Sequence, residues 1–118
     1  MQSSSKNAIK SVIVTLVVCL VTVAALASAT IKGNEGKGKF YYKQDCKQCH
    51  VKGGAGGELT PLSKTQAQWN AFFAKGKHPQ DNQPLLKVQG MDEEKLNDIH
   101  AFLYNHAADS PQPETCGK

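Results

Sequence analysis

From Asp92 to Ala107 the apolar residues Leu96, Ile99, Leu103 and Ala107 recur at steps of three and four, the spacing that places them on one face of an α-helix. Asp92, Glu93 and Glu94 put negative charge where that helix would start, as the helix dipole favours. Met91, just ahead of them, fits as a hydrophobic staple. A second helix is predicted around Trp69, Phe72, Phe73 and Ala74, because Thr65 and Gln68 have capping-box spacing and Gly76 is a stop signal. A third is predicted from about residue 35 to 47, where Phe40, Tyr41 and Tyr42 gather aromatic bulk ahead of Cys46. Between these stretches lie a glycine-rich loop over 51–58 and a loop over 77–90 that holds Pro79 and Pro84; structureless loops as long as the second are uncommon unless functional. No strand pattern or internal repeat appears. The expected class is all-α, with three or so short helices joined by long loops, a thin fold unless something large fills its middle.

The first thirty residues have a different pattern. Met1 to Lys10 is polar with Lys6 and Lys10 as its charges, Val12 to Leu26 is almost wholly apolar, and Ala27-Ser28-Ala29 ends the run with small residues. That order predicts a secretory signal peptide over 1–29, cut before Thr30. The alternative is an uncleaved N-terminal anchor, although the run falls short of the roughly 20 apolar residues of a membrane span. Cys19 is read as a small apolar residue of this segment. Gly33, Gly36 and Gly38 among lysines then predict a flexible lead-in.

The chain beyond residue 29 is small enough for one domain, and a domain of this size usually needs a disulfide set, a metal or a large buried cofactor. Cys46, Cys49 and Cys116 are an odd number and cannot close an internal disulfide set. Charge narrows the field further. The chain has 14 lysines and no arginine; without Lys6 and Lys10, 12 lysines face 10 acids. The absence of the guanidinium fork argues against phosphate or base readout, so nucleic acid is not an expected partner.

Candidate chemistry centres on Asp45-Cys46-Lys47-Gln48-Cys49-His50. Zinc wants four ligands and only one cysteine pair is present, with His78, His100 and His106 not arranged as a compact second half. A thioredoxin-like dithiol needs a βαβ setting that is missing here. Cys-x-x-Cys-His is instead the attachment signature of a c-type haem. The two thiols reach the vinyl groups on one porphyrin edge, and the adjacent imidazole is carried beneath the iron. Such attachment occurs outside the cytoplasm, where the N-terminal segment directs the chain.

Over the region after the leader the chain resembles the class I cytochrome c family. The resemblance rests on Cys46-Lys47-Gln48-Cys49-His50, on Gly38 and Tyr42 placed eight and four residues before Cys46, on Pro61 eleven after His50, and on Asp92 to His106 as a partner helix. It implies a small all-α fold wrapped around one covalently bound haem c, with a lead-in over 30–37, a cytochrome c domain over 38–108 and a tail over 109–118. It implies covalent attachment through Cys46 and Cys49 and His50 as axial ligand. Gly38 would let the first helix cross the last one closely. Tyr42, Pro61 and Trp69 are expected around the cofactor, with the Pro61 region offering a carbonyl to the His50 imidazole.

The second axial ligand is less direct. Relatives use a methionine in the loop before the last helix. Met91 has the right distance from His50 but abuts Asp92, while His78 comes after the Trp69 helix and precedes Pro79 as the family's methionine precedes proline. His78 is favoured, Met91 is the alternative, and an open distal position is the third case. The expected function is single-electron transfer between redox proteins of the periplasm or the membrane, with no enzymatic activity. The rivals are a peroxidase or small-gas sensor with an open distal site, and a cytochrome subunit of a larger oxidoreductase complex. His100 and His106 are expected in structural or surface roles. Cys116 is an unpaired thiol, read either as a point of attachment to a partner or as inert.

Overall fold

The first helix begins because Asn34 caps it: the Asn34 side chain accepts the Lys37 N–H at 3.0 Å. The computed structural model describes residues 31–115. Helix α1 spans Glu35–Tyr41 and runs on into a π-helical turn over Tyr42–Cys46, closed by the Lys47 N–H on the Tyr42 carbonyl at 3.0 Å. The wider turn delivers Cys46 directly into the Cys-x-x-Cys-His segment. Wide turns of this kind inside helices are frequent at functional sites.

Helix α2 spans Gln66–Lys75 and has the predicted box, with Thr65 and Gln68 capping each other's backbone. It stops at Gly76, whose φ of 62° is left-handed and costs glycine nothing. Helix α3 spans Glu93–Asn105, with Asp92 accepting the Lys95 N–H at 2.8 Å as its cap. Two short 3-10 turns, Pro61–Ser63 and Leu85–Lys87, break the long connections. Among the described residues there is no strand beyond one isolated bridge, Lys77 with Pro84. No helix among them is long and apolar enough to cross a membrane.

Helices α1 and α3 cross at Gly38, which is buried. A Cβ there would stand 1.9 Å from the Asp98 carbonyl oxygen, so only a hydrogen fits between the backbones. Around this crossing Tyr42, Trp69, Ile99, Phe102, Leu103 and Ala107 form the buried cluster, with Leu59, Phe72, Phe73 and Met91 against it.

The expectation of a flexible lead-in needs correcting. The lead-in over 30–37 is not a loose tether where it is described, since α1 starts at Glu35 and the Asn34 N–H donates to Asp98 Oδ1 at 2.6 Å. Gly33 also packs on the Asn97 carbonyl. The early part of the 109–118 tail is likewise fastened: Ser110 is buried, and the Glu114 N–H donates to the His106 carbonyl while its carboxylate meets Lys39 at 3.0 Å. The signal peptide or anchor over 1–29 and the thiol of Cys116 lie outside the described residues.

Candidate functional site

The π-helical turn after α1, helices α2 and α3 and two loops line a partly open cavity of about 340 Å³, within the roughly 300–1,000 Å³ usual for ligand and cofactor sites. Its walls are mostly apolar: Leu59, Phe72, Phe73, Leu85, Val88, Ile99 and Leu103 all face it. Cys46, Cys49, His50, His78, Met91, Tyr42 and Trp69 line it too. The structure therefore brings these predicted site residues to one place. Pro61 is the exception.

His50 and His78 come from separate loops and lie next to each other, with ring centroids 5.8 Å apart and planes inclined by 37°. Imidazole–metal bonds of about 2.0 Å on both sides of one ion would put the ligating nitrogens ~4 Å apart, which this separation accommodates. In both rings Nδ1 is buried and has no hydrogen-bond partner among the described residues. Met91 is half-buried on the same cavity, its N–H bonded to the Val88 carbonyl at 3.0 Å.

Two aromatic residues are pinned by loop carbonyls. The Tyr42 hydroxyl donates to the Leu59 carbonyl, and burial raises its pKa, keeping the phenol protonated. Trp69 Nε1 donates to the Pro61 carbonyl at 2.9 Å. That last bond corrects the expected role of Pro61. Its carbonyl holds the indole, because the capped turn from Thr60 to Ser63 points it toward α2, and His50 is packed against glycine backbone instead.

The thiols differ in setting. Cys49 is exposed, whereas Cys46 is half-buried and its thiol is pushed up to about 11, by burial first and by the neighbouring Asp45 charge second. Redox-active Cys-x-x-Cys pairs show the opposite, a lowered pKa at the nucleophilic sulfur. Among the described residues no group of three or more His, Cys, Asp and Glu gathers to hold a bare metal ion. Two imidazoles on an apolar cavity, with two thiols on its wall, are instead a donor set suited to a metal carried in a macrocycle.

Sequence reasoning missed Leu85, Lys64 and Gly56. Among the described residues Lys64 is the one lysine on the lining, and it lies 5.7 Å from the Trp69 ring. Gly56 presses on His50, and the run of glycines after the motif was its only signal. Comparison of the chain with protein-family models, with curated proteins and with solved structures finds no match.

Proposed function

We propose that the protein is a monohaem c-type electron carrier, with one haem c tethered by Cys46 and Cys49 and ligated by His50 and His78. The observation that carries the reading is the pair of neighbouring imidazoles, 5.8 Å apart on an apolar cavity that the cysteine pair also lines. When bound, the haem supplies a one-electron iron couple. The remaining work falls to side chains. Cys46 and Cys49 would hold the group covalently, and the adjacent His50 would be one of its iron ligands. With Nδ1 buried in both rings, Nε2 would be the nitrogen each imidazole offers to the group. The aromatic and aliphatic walls exclude water and keep the local dielectric low. Lys64 on the lining would supply positive charge to offset the group's carboxylates. No nucleophile or general base is needed.

Two imidazoles hold the reduction potential below that of a histidine–methionine pair, which Met91 in place of His78 would give. The rival with an open distal site gains no support from a second imidazole next to the first. Redox proteins of the periplasm or of the membrane surface are the partners that fit an exported carrier, and an extracytoplasmic location is the one that the N-terminal segment supports.

The test is the optical spectrum and mass of the mature protein, oxidised and reduced, beside those of His78→Ala. The wild type is expected to carry one covalently attached, low-spin haem, and the variant to turn high-spin or recruit another ligand. An unchanged low-spin spectrum in His78→Ala would transfer the role to another residue, Met91 first. A mature chain without covalent haem would end the proposal.

A further inference from the structure

His78 reaches the cavity on a segment that is closed backbone to backbone. The Leu85 N–H donates to the Gly76 carbonyl at 2.9 Å, the His78 N–H to Gln83 at 2.8 Å, and the Asn82 N–H returns to His78 at 2.9 Å. Asn82 makes this turn at a φ of 60°, a left-handed conformation that asparagine adopts more readily than most residues. With both backbone groups of His78 engaged, the ring is aimed by its own torsions and by whatever its Nδ1 meets. That nitrogen is buried and has no hydrogen-bond partner among the described residues. Facing it at 3.6 Å is Asp81 Oδ1. The same oxygen is fixed in place by the Gln83 N–H at 3.0 Å.

We propose that Asp81 is a positioning residue for His78, its carboxylate favouring the tautomer with the proton on Nδ1 and making Nε2 a stronger donor to iron. The inference rests on the reading of His78 as an axial ligand. Metal-bound imidazoles generally present their other N–H to a carboxylate, a carbonyl or water, which fixes the tautomer and raises basicity. At 3.6 Å the contact is a charge acting on the N–H dipole, longer than a hydrogen bond. The Asp81 side chain is 61% exposed and that of His78 28%, so water and salt screen the interaction in part. A more basic ligand stabilises ferric iron and lowers the potential. Among the described residues His50 has no such partner: its Nδ1 is buried against Gly56. The asymmetry makes His78 the tunable side of the pair.

The experiment compares the holoprotein with Asp81→Asn, Asp81→Ala and Asp81→Glu, reading the reduction potential and the rate at which carbon monoxide displaces the distal ligand from the reduced protein. Asp81→Asn removes the charge but keeps an oxygen for the Gln83 N–H, so the turn survives; Asp81→Ala removes both. The expected result is a raised potential and roughly tenfold faster displacement in the Asn variant, as for other partners of ligating histidines. The Glu variant should recover part of the wild-type behaviour. Wild-type values in Asp81→Asn, with a change only in Asp81→Ala, would leave Asp81 a loop role alone and overturn the proposal, as would wild-type values in both. Failure of the underlying reading shows separately, as a low-spin spectrum that is unchanged in His78→Ala with Asp81 intact.

Discussion

At Gly56 an added Cβ would stand 2.7 Å from both Cε1 and Nδ1 of His50. The obstacle to a side chain there is the imidazole itself, because Gly56 is absent from the glycines with left-handed φ. Gly56→Ala must therefore turn the ring or push back its loop. The expected outcome is a holoprotein with reduced low-spin intensity and a stability loss of about 1–3 kcal/mol, the usual range for overpacking. A spectrum identical to wild type would show that the glycine does not set the ring. His50 was legible from its place next to Cys49, and His78 from its place beside Pro79 after the Trp69 helix. Gly56 and Asp81 were not, because each acts through loop closure. The Gly56 N–H bonds back to the Cys49 carbonyl at 3.0 Å, and Asp81 meets His78 only because Asn82 turns left-handed.

Helices are where local chemistry spoke most clearly. Thr65, Gly76 and Asp92 act through side chains or backbone within one turn of themselves, so their positions alone bounded α2 and the start of α3. The π-helical turn at Tyr42–Cys46 and the 3-10 turn at Leu85–Lys87 have no comparable local signal, since they depend on where the chain must reach. The α1–α3 crossing offers a test at this scale. In Gly38→Ala the new methyl would fall 1.9 Å from the Asp98 carbonyl oxygen, and backbone cannot swing aside as a side chain does. The helices must separate, at a cost of about 3 kcal/mol, the upper part of the overpacking range. Gly36→Ala meets only the Asn34 side chain, at 3.3 Å, and is expected to stay within ~1 kcal/mol of wild type, as substitutions in exposed helix positions do. Denaturant midpoints of the two variants provide the measurement, and equal midpoints would contradict the tight crossing.

Over the molecule as a whole, a net charge of +4 hides a lopsided distribution. Residues 43–91, which form most of the cavity, carry seven lysines and three acids, while residues 92–115 carry one lysine and six acids. A tally over the full chain could not reveal it. The same holds for His100, expected in a structural or surface role and found on α3 against α2. Its ring stacks on Phe73 with centroids 4.3 Å apart, and its Nε2 lies 2.9 Å from Asn70 Oδ1. Burial lowers its pKa below the ordinary 6.5, so the folded protein binds this proton less readily than the unfolded chain. Stability from His100 is thus fully present above pH 6.5 and is lost as the pH falls through the lower folded value. Wild-type holoprotein should lose melting temperature between pH 7 and pH 5, and His100→Gln, which keeps an amide for Asn70 but cannot titrate, should lose less over the same interval. Carboxylates contribute equally to both proteins, so the difference between the two curves isolates the imidazole. Parallel curves would mean that the Phe73 stack tolerates a charged ring and that acid sensitivity arises elsewhere in the fold.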